Sequence, residues 1–587
     1  MSEVAKRAGM RFVGPNCLGV ANITDRMYAA FGSMTRPPRL AAGTVSMVYQ
    51  SGGFGHTLAL RCAAAGVGFR YLVASGNETN VNTLDLIDYY LEDEVTRTVV
   101  AYVEGLADGR ALMALGHKAC ALGKPLLVWK GGRGRQGLRA AASHTASITG
   151  RYDIYRAALR QAGIIEVRQI EELADLVRVL ASERLPRSTR VGVISASGGS
   201  AIVFADAADE AGLEICALSP ASRTQLVKHV PSVCEAGNPV DFPAGFLNEG
   251  SEPGFAASVD VLLADPNIDH VAVLLATVQG RQASSGARIL AAARAKTDKA
   301  VYVFSSMHRE LVKDALDVLQ SAHIPVLQSP AGLAHAIATA QRYQASRDRL
   351  ARVPRWMSAG TRSVSGKRIA HDEAAAKALL RSLEIAVTND VVLDLPVKTL
   401  PSNIAYPCAV KALHADLAHK TDVGGVALNV MNADELLAAI ETIAANVARH
   451  APQVVLTRVL VSEMVRDAVE MIIGVVNDAA FGPTIMAGFG GLYTELLRDV
   501  AFRVAPFDEN EARAMIGELR GAPLLRAARG RPDRDIDALA AAIARLSSYA
   551  WEHREDLLEL DVNPLFVRAA GEGVVAADAL AVTLSPG

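Results

Sequence analysis

The run RAAASHTASITG, from Arg139 to Gly150, places one histidine, His144, among small residues. Small neighbours leave room around an imidazole, so His144 is either a core histidine or one that reacts with a substrate. Histidines in such surroundings are mostly structural. This run alone therefore leaves both interpretations open, and the groups that the rest of the chain builds near it decide between them.

A second candidate is Lys411 in the run YPCAVKALHADLAHKTDVGGV. The apolar residues before Lys411 predict a strand, and the polar stretch with two glycines after it predicts a flexible loop. A strand lysine beside such a loop can hold nucleotide phosphates, with its ammonium acting as a point charge. The alternative is a solvated lysine followed by an ordinary surface loop.

Oxygen-bearing side chains follow at the predicted strand ends and turns of SEMVRDAVEMIIGVVNDAAFGPTIMAGFGGLYTELLRDVAFRVAP and ELDVNPL. Carboxylate and amide oxygens are the hard donors that Mg²⁺ prefers. Residues spread over so long a stretch are more often surface groups, so their spacing supports a metal site only weakly. The four candidates are Glu495, Asp499, Asp561 and Asn563.

The elements that would position these groups show a repeated opening. VSMVYQSGGFGHTLALRCAAAGVG and VGVISASGGSAIVFADAADEAGLE each predict a buried strand that ends in Ser-Gly-Gly, where a helix begins. Such a turn points backbone N–H groups and the positive end of a helix dipole at one place, which suits an anion. Glycine is also needed at many tight turns for conformational reasons alone. The two turns comprise Ser51, Gly52 and Gly53, and Ser197, Gly198 and Gly199.

Short apolar runs alternate with amphipathic helical stretches through about residue 345, which is typical of parallel-sheet α/β domains. A stretch rich in proline, arginine and serine, RDRLARVPRWMSAGTRSVSGKR, predicts a linker. The C-terminal third opens with a helix in HDEAAAKALLRSLEI, continues as α+β, and ends in a segment that predicts two strands around a turn.

Composition narrows the class of protein. The chain has 587 residues, enough for roughly three to five domains, and it has 21% charged residues and a formal net charge of −2. This balance gives no general attraction to nucleic acid or to an anionic membrane, and no apolar run approaches the length of a membrane span. The six cysteines lie far apart without metal-like spacing, so we expect reduced thiols in a cytoplasmic protein.

Ten runs in order carry a resemblance to a known family: RFVGPNCLGVAN, QSGGFG, ASGNETN, YVEGLADG, ASHTASITG, SASGGSA, GNPVDF, HKTDVGGV, FGPTIMAGFGG and ELDVNPL. Over essentially its full length the chain resembles the NDP-forming acyl-CoA synthetase superfamily, which comprises ADP-forming acetate–CoA ligases and related succinyl-CoA ligase-like enzymes. Ten runs in order are specific for the family and far less specific for the substrate.

The resemblance gives His144 the role of nucleophile. In that role a neutral imidazole attacks an acyl phosphate or the γ-phosphate of a nucleotide and becomes phosphohistidine. The two Ser-Gly-Gly helix starts then face the phosphoryl group and stabilise its charge. Glu104 matches the glutamate that fixes the imidazole tautomer. His419, in AHKTD, matches a histidine that relays phosphate in one branch of the family, and a spectator that only contacts phosphate is the alternative.

The resemblance also implies a nucleotide site. Lys411 matches the lysine that binds nucleotide phosphates, and Glu463 and Met464 match the segment bordering the adenine. Glu495, Asp499, Asp561 and Asn563 match positions expected around Mg²⁺. ATP, Mg²⁺ and coenzyme A as a substrate are therefore the expected cofactors.

For the fold, the resemblance implies two flavodoxin-like domains of the succinyl-CoA ligase type followed by an ATP-grasp domain, with a remnant of a Rossmann-like CoA-binding domain in front. The remnant is expected to pack on the next domain or to be disordered. The predicted boundaries are 1–40 for the remnant, 41–185 and 186–345 for the flavodoxin-like domains, 346–364 for the linker and 365–587 for the ATP-grasp domain.

The sequence departs from the family pattern in a few places. Ala146 stands where relatives usually carry glycine, and either narrows the pocket or shifts a turn; Ser462 and Ala480 replace a common glutamine and proline. Only residues 1–40 remain of the region in which the family has a complete CoA-binding domain. Three explanations stay open: a misassigned start, a second chain that completes the domain, and loss of CoA ligation.

The expected activity is that of an ADP-forming acid–CoA ligase, running through an acyl phosphate and phosphohistidine. The alternative from another class is a non-ligating protein that binds ATP or phosphorylates itself and acts as a regulator or subunit. The expected partners are a carboxylic acid, CoA and a nucleotide, with no nucleic acid and no membrane. A homo-oligomer is expected from the family alone.

Overall fold

The structure is a computed structural model, and it describes residues 2–36, 39–134, 136–137, 151–231, 236–242, 247, 250–351, 366–417, 420–491, 499–527 and 532–585. The chain divides into two compact units. The first comprises residues 1–106, 111–149 and 162–357, and the second comprises 107–110, 150–161 and 358–587. Two short segments from the middle of the first unit's sequence thus belong to the second unit.

The first unit contains two sheets whose central strands are parallel, as the alternating pattern predicts. Strand β11 (His270–Ala276), with the sequence HVAVLLA, is buried at all seven positions. Helices on both faces of a parallel sheet exclude water from both sides of a strand, and such strands therefore become continuous apolar runs instead of alternating ones.

The first sheet has the order β2-β1-β4-β3-β5-β6-β7. Its elements and the helices between them are α1 (Ser2–Arg7), β1 (Gly19–Asn22), β2 (Met27–Ala30), β3 (Ala42–Tyr49), α2 (Gly52–Ala64), β4 (Phe69–Ala74), α3 (Thr83–Glu92), β5 (Thr98–Val103), α4 (Gly109–Leu122), β6 (Leu126–Lys130), α5 (Tyr152–Gln161), β7 (Ile165–Glu166) and α6 (Ile170–Leu180).

Strands β1 and β2 come from the region assigned by sequence to the CoA-binding remnant. β1 pairs antiparallel with β4, so this hairpin extends the edge of the first sheet. The run GPNCLGV is also bonded to the loop after β4, where the backbone N–H of Asn77 donates to the carbonyl of Pro15 at 2.9 Å and the Thr79 hydroxyl donates to that of Gly14 at 2.7 Å.

The second sheet has the order β10-β8-β11-β12-β13, with β9 paired to β8. Its elements and helices are β8 (Arg190–Ser195), α7 (Gly198–Ala211), β9 (Glu214–Ile215), α8 (Pro220–Leu226), β10 (Val240–Asp241), α9 (Glu252–Ala264), β11 (His270–Ala276), α10 (Gly280–Ala295), β12 (Ala300–Ser305), α11 (Lys313–Ser321), β13 (Val326–Leu327) and α12 (Pro330–Leu350). Because α12 runs to Leu350, residues 346–350 of the predicted linker are helical.

The second unit contains a large sheet of order β14-β24-β22-β19-β20-β21, with β23 paired to β22, and a small sheet of order β15-β18-β16-β17. Its elements are β14 (Arg368–His371), α13 (Glu373–Ser382), β15 (Asp390–Asp394), β16 (Cys408–Ala412), β17 (Val426–Val430), α14 (Ala433–His450), β18 (Arg458–Glu463), β19 (Val469–Asp478), β20 (Gly482–Phe489), β21 (Val500–Val504), α15 (Glu509–Gly517), α16 (Ile536–Glu552), β22 (Leu557–Val567), β23 (Val574–Ala576) and β24 (Ala579–Leu584).

The prediction of two strands at the C-terminus is wrong, because the structure has three. β22 runs through ELDVNPL, and the short β23 precedes β24. β23 has only three residues, and the glycine-rich stretch before it favours a turn, so the pattern of apolar residues does not separate it from its neighbour. Among the described residues no helix combines the length and apolar character that crossing a membrane requires.

Helix α5 belongs to the second unit and packs against β21, the edge strand of the large sheet. The side-chain amide of Gln161 completes that edge: its Nε2 donates to the carbonyl of Val504 at 2.9 Å, and the backbone N–H of Val504 donates to its Oε1 at 3.0 Å. The ring of Tyr155 packs edge-on against Phe481 at 4.8 Å between centroids. Unpaired backbone groups at a sheet edge are thereby satisfied.

Candidate functional site

Lys411 lies on β16, a strand whose five residues are all buried. Its Nζ donates to Glu373 Oε1 at 2.7 Å, to the carbonyl of Ala577 at 2.7 Å and to Asp578 Oδ2 at 3.2 Å. The strand thus holds an ammonium group inside the second unit, where its three donors are all paired. A buried lysine with this many acceptors is strongly held in one position.

Two more lysines share these acceptors. Lys420, in the glycine loop after β16, donates to Glu373 Oε2 and, at 3.0 Å, to Asp578 Oδ1. Lys377 pairs with Glu373 Oε1 at 3.0 Å and with Asp390 Oδ2 at 2.9 Å. Three ammonium groups therefore face three carboxylates, and we call these six residues the lysine–carboxylate cluster.

The cluster begins at the first turn of α13. Asp372 caps this helix by accepting the backbone N–H of Ala375 at 2.9 Å, and Glu373 and Lys377 follow at a spacing of four residues, which places them on one face. Burial by itself would raise the pKa of Glu373, but the charges of Lys411, Lys420 and Lys377 hold that pKa well below its usual range. The carboxylates of Glu373 and Asp578 in turn raise the pKa of Lys420 against the effect of its burial.

Two of the predicted magnesium ligands lie on β22 beside this cluster. The backbone N–H of Asn563 donates to the carbonyl of Asp578 at 3.2 Å, and Asp561 precedes Asn563 by two residues on the less buried side of the strand. Side chains two residues apart on a strand share a face. The structure thus brings Asp561 and Asn563 to one face next to Asp578, which the sequence analysis did not include.

Asp499 lies elsewhere in the second unit. Its two carboxylate oxygens accept the backbone N–H groups of Arg520 at 2.9 Å and Gly521 at 2.8 Å, so this side chain holds the turn before a short 3₁₀ helix. None of the hydrogen bonds between described residues joins it to Asp561 or Asn563.

Oxygen donors of this kind suit Mg²⁺, which commonly takes one or two carboxylates together with substrate phosphates and water. Asp561, Asn563 and Asp578 supply such donors beside two lysines, so the residues fit a magnesium–nucleotide complex better than an all-protein cage. The described residues contain no group of three or more His, Cys, Asp or Glu side chains arranged to hold a metal ion by themselves.

Glu463 ends β18, and Met464 follows it as the chain leaves the small sheet. The Glu463 carboxylate accepts hydrogen bonds from the backbone N–H of Asn389 at 3.0 Å and from the side-chain Nδ2 of Asn389 at 2.9 Å. The backbone N–H of Glu463 donates to the carbonyl of Asn389 at 3.2 Å. This pairing fixes the backbone at the point where the sequence predicts the adenine border.

In the first unit, the predicted Ser51 turn has the geometry that its sequence suggests. β3 ends at Tyr49 and α2 begins at Gly52, with Ser51 as the N-cap residue in an extended conformation. A Cβ on Gly52 would lie 2.7 Å from Leu18, whereas a Cβ on Gly53 would meet nothing within 4 Å. Glycine at 52 is therefore required by packing, and Gly53 leaves open space at the helix start.

Gln50 links this turn to Glu104. Its Oε1 accepts the N–H groups of Glu104 at 2.5 Å and Gly105 at 3.2 Å, and its Nε2 donates to the carbonyl of Gly105 at 2.8 Å. β3 and β5 are parallel neighbours, so their carboxyl ends meet at one edge of the sheet. The structure thus brings Glu104 next to the Ser51 turn, at the edge where open α/β sheets bind ligands.

Glu104 has two ionisable neighbours that the sequence analysis missed. The Lys130 ammonium donates to the Glu104 carbonyl at 2.6 Å and to that of Gly131 at 2.5 Å, and its burial lowers its pKa to about 8 against the opposing charge of Glu104. Burial, then the charge of Glu104 and a hydrogen bond to it, raises the pKa of Tyr102 to about 12. The signal for Lys130 was its place at the end of the apolar run PLLVWK.

The Ser197 turn has the same form at the end of β8. Ser197 caps α7 by accepting the N–H of Ser200 at 3.4 Å, and Ser195 braces the turn from β8 by donating to the Ser197 carbonyl at 2.7 Å. A Cβ on Gly198 would lie 3.1 Å from Asp241 Oδ2, and one on Gly199 would meet nothing within 4 Å. Asp241 thus places a carboxylate at this helix start, where negative charge is favourable.

His144, His419 and Glu495 lie outside the described residues, as does Ala146. Among the described residues no hydrogen bond or ion pair joins the Ser51 turn to the Ser197 turn. Within the second unit, the missed residues Glu373, Lys420 and Asp578 had weak signals: Glu373 and Lys377 share a helical face, Lys420 adjoins the glycine loop, and Asp578 follows the last short strand.

Three family models match the chain. A succinyl-CoA ligase-like flavodoxin domain matches residues 42–180, a ligase-CoA domain matches 191–351, and an ATP-grasp domain matches 363–583. These matches correspond to the first sheet, the second sheet and the bulk of the second unit.

Relatives match over nearly the whole chain. ADP-forming acetate–CoA ligase I of Archaeoglobus fulgidus is 33% identical over 98% of this chain and 82% of its own length. The ADP-forming 4-hydroxybutyrate–CoA ligase of Nitrosopumilus maritimus is 30% identical over 97% of this chain and 82% of its own. A solved structure of acetyl-coenzyme A synthetase 1 from Ca. Korarchaeum cryptofilum with phosphate and ADP is 27% identical, with a TM-score of 0.52, and covers 60% of this chain and 74% of that chain. With its two flavodoxin-like domains and its ATP-grasp domain, this chain belongs to the NDP-forming acyl-CoA synthetase superfamily of ligases.

Proposed function

We propose that this chain is an ADP-forming acid–CoA ligase that converts a carboxylic acid, CoA and ATP to an acyl-CoA, ADP and phosphate. The observation that carries the proposal is the lysine–carboxylate cluster, which presents paired lysines beside oxygen donors in a domain of the ATP-grasp family. Membership of a ligase family whose named relatives are ADP-forming acid–CoA ligases supports the reaction class.

In the second unit, Lys411 and Lys420 bind the nucleotide phosphates. The phosphate oxygens replace Glu373 and Asp578 as acceptors, which exchanges one set of charge-assisted bonds for another. Asp561, Asn563 and Asp578 are the residues that would hold Mg²⁺, which neutralises phosphate charge when it is bound. Glu463 and Met464 border the base in this proposal, with Asn389 fixing their backbone.

His144 then acts as the nucleophile. Its imidazole nitrogen attacks the γ-phosphorus of ATP, the bond from that phosphorus to the bridging oxygen of ADP breaks, and phosphohistidine and ADP form. A carboxylate oxygen of the acid next attacks the phosphohistidine phosphorus, giving an acyl phosphate and free His144. The thiol sulfur of CoA attacks the acyl carbon, its proton is released, and phosphate leaves. His419 is the candidate relay in the second unit.

The first unit supplies the surroundings for the phosphohistidine. Glu104, held by Gln50 at the end of β3, is proposed to accept a hydrogen bond from the imidazole and to stabilise the positive charge that develops on it. The helix starts at Ser51–Gly53 and Ser197–Gly199 are proposed to stabilise the phosphoryl oxygens. The closeness of Gln50 to both Ser51 and Glu104 supports a joint role for these two groups.

The test is transfer of label from γ-labelled ATP with Mg²⁺ to the purified chain. We expect acid-labile, base-stable label on the wild type and none on His144→Ala, while the control His308→Ala, which changes an exposed histidine of the same unit, labels as the wild type does. Label on both the wild type and His144→Ala would move the acceptor to His419. A folded wild type without label contradicts the proposal and favours a protein that only binds nucleotide.

Addition of CoA and a panel of carboxylic acids to the labelled protein tests the second half of the reaction. Loss of label that requires both compounds, with formation of a thioester, is the expected result. Label that persists with every acid would identify an autophosphorylating protein that does not ligate. The predicted homo-oligomer, domain boundaries and cytoplasmic location are further proposals, and light scattering on the purified chain tests the first.

A further inference from the structure

The first unit contains a cavity of about 390 Å³ that the proposed reaction does not use. It lies among the start of β3, the segment between α2 and β4, the end of α6, the helix α11 and the start of β13. The residues that matter for its chemistry are Arg178, Arg309 and His323, and its walls are otherwise largely apolar. The apolar wall residues include Val45, Val67, Val177, Leu316, Ile324 and Val326.

This cavity is separate from the Ser51 turn and Glu104. It is lined by Ala41–Val45 at the start of β3, whereas Ser51 follows the opposite end of the same strand. A strand rises about 3.3 Å per residue, so Val45 and Ser51 are separated by on the order of 20 Å along the strand. In the second sheet the cavity is lined by Val326 of β13, an edge strand that β11 and β12 separate from β8, the strand that Ser197 follows.

Two guanidinium groups, those of Arg178 and Arg309, line this one cavity. Within the described part of the chain, neither Arg178 nor Arg309 has a hydrogen bond or an ion pair through its side chain. Burial lowers the pKa of Arg178, and the charge of Arg309 lowers it further, against the opposing charge of Asp175. A second positive charge nearby is unfavourable for a partly buried guanidinium group such as that of Arg178, and an anion bound to both guanidinium groups would relieve that repulsion.

Two carboxylates, Asp175 and Glu183, lie near this cavity; the charge of Asp175 acts on Arg178, but in the described part of the chain neither carboxylate forms an ion pair with Arg178 or Arg309. Asp175, one turn before Arg178 on α6, lies beside Gly332 at the start of α12, with its Oδ2 2.5 Å from the position of a Cβ on that glycine. Glu183 pairs with His323 at 3.6 Å. Favourable interaction with the negative ends of helix dipoles explains part of why the two arginines lie here, because Arg178 is in the last turn of α6 and Arg309 lies against Gly66, just after α2. This interaction does not account for the shared cavity.

We propose that this cavity binds a small organic dianion, with Arg178 and Arg309 holding its acidic group and the apolar walls holding its body. Guanidinium groups bind carboxylates and phosphates through paired hydrogen bonds, and the volume is in the range of small-molecule sites. A phosphate monoester and a dicarboxylate share the required chemistry. Because the walls come from elements of both sheets of the first unit, a bound ligand would contact the parts of the unit that belong to each sheet.

Two probes, phenyl phosphate and phthalate, distinguish a phosphate monoester from a dicarboxylate. Each has an aromatic body and two acidic charges, and benzoate serves as the singly charged reference. Calorimetric titration of the full chain at pH 8 should show saturable binding of at least one dianion. We expect its affinity to fall tenfold or more in Arg178→Met and in Arg309→Met. It should be unchanged in the control Arg223→Met, which alters an exposed arginine of α8 in the same unit.

Arg309 is exposed, so Arg309→Met provides a test even where Arg178→Met fails to fold. Binding of phenyl phosphate alone identifies a phosphate ester, and binding of phthalate alone identifies a dicarboxylate. The proposal is overturned when neither dianion binds the wild type, when benzoate binds as tightly as they do, or when Arg309→Met binds as the wild type does. The two arginines would then be cations placed at helix ends only.

Discussion

At the scale of single residues, the lysine–carboxylate cluster would keep the lysines of the proposed nucleotide site oriented before a ligand binds. Three buried ammonium groups without counter-ions would oppose folding, and Glu373, Asp390 and Asp578 supply the opposite charges inside the protein. A nucleotide phosphate then exchanges with carboxylates instead of with bulk water. The lysines therefore stay oriented in the absence of ligand, which lowers the ordering cost of binding.

Glu373→Gln is expected to destabilise the second unit at neutral pH by about 3 kcal/mol, because it leaves buried lysines without their shared partner. The pKa of Glu373 is lower in the folded than in the unfolded chain. A carboxylate of this kind binds more protons when unfolded, so its stabilisation is complete above its unfolded pKa of about 4.3 and is lost as the pH falls through the lower folded value.

Urea unfolding followed between pH 7 and pH 3 measures this difference. The difference in the free energy of unfolding between wild type and Glu373→Gln should be constant near neutral pH and should become smaller below about pH 4.3. Glu441→Gln, at an exposed position of α14, is the control and should follow the wild type throughout. A difference that keeps its size down to pH 3 would show that the charge of Glu373 is not what stabilises the cluster.

At the scale of elements, the strand–turn–helix units were predictable, whereas the partners in the cluster were not. Ser-Gly-Gly after an apolar run marks the starts of α2 and α7, because a tight turn and a helix N-terminus are local properties of the sequence. Lys411 was found by the same local signals. Its partners Glu373 and Asp578 lie 38 and 167 residues away, and no local pattern specifies such a pairing.

The placement of α5 was equally beyond the sequence. Its amphipathic pattern predicts one apolar face, but a face containing Tyr155, Ala157 and Ala158 would suit either unit. The structure places α5 in the second unit, where Gln161 pairs with Val504 and the ring of Tyr155 packs against Phe481. The other short segment of this unit is held in a similar way, because Arg110 donates to the carbonyls of Phe481 at 2.9 Å and Ala505 at 2.8 Å. Sequence periodicity carries no information on such long-range bonds.

Gln161→Leu should slow labelling of His144 by ATP on the order of tenfold, since it leaves two buried backbone groups of Val504 unpaired at a cost of about 1–3 kcal/mol each. α5 directly follows the predicted phosphohistidine run in the sequence, so in the proposed reaction a less firmly held α5 should present His144 to ATP less often. Rapid-quench labelling measures the rate. Gln225→Leu, on an exposed face of α8, is the control.

Acetyl phosphate provides the second readout for this variant, because in the proposed mechanism an acyl phosphate would phosphorylate His144 without a nucleotide. We expect its labelling rate to change little in Gln161→Leu. Equal slowing with ATP and with acetyl phosphate would mean that the substitution disturbs the whole run. In that case Gln161 would contribute to folding but not to positioning the run for the nucleotide.

At the scale of the whole molecule, the two units are interleaved in sequence, with residues 107–110 and 150–161 in the second unit although their neighbours are in the first. A contiguous domain order was the natural prediction from the repeated openings and the linker, and the three family matches follow that order. The interleaving arises from packing of short segments against a sheet that is completed hundreds of residues later. The compact units of the structure therefore differ from the domains that the sequence predicts.

Hydrogen exchange in moderate urea tests this division. ATP with Mg²⁺ at about 100 times its dissociation constant should stabilise the second unit by about 2.7 kcal/mol. Amides of α5 should gain that protection together with those of β20 and β21, because they exchange when the second unit unfolds. Amides of α6, only nine residues further along the chain but packed in the first unit, should gain little. Lys411→Met should abolish the gain in protection that ATP gives, whereas Lys398→Met, which changes an exposed lysine, should keep it.

Equal gains of protection in α5 and α6 would show that both units unfold as one cooperative body. A gain in β20 and β21 that is absent from α5 would show that α5 unfolds with the first unit.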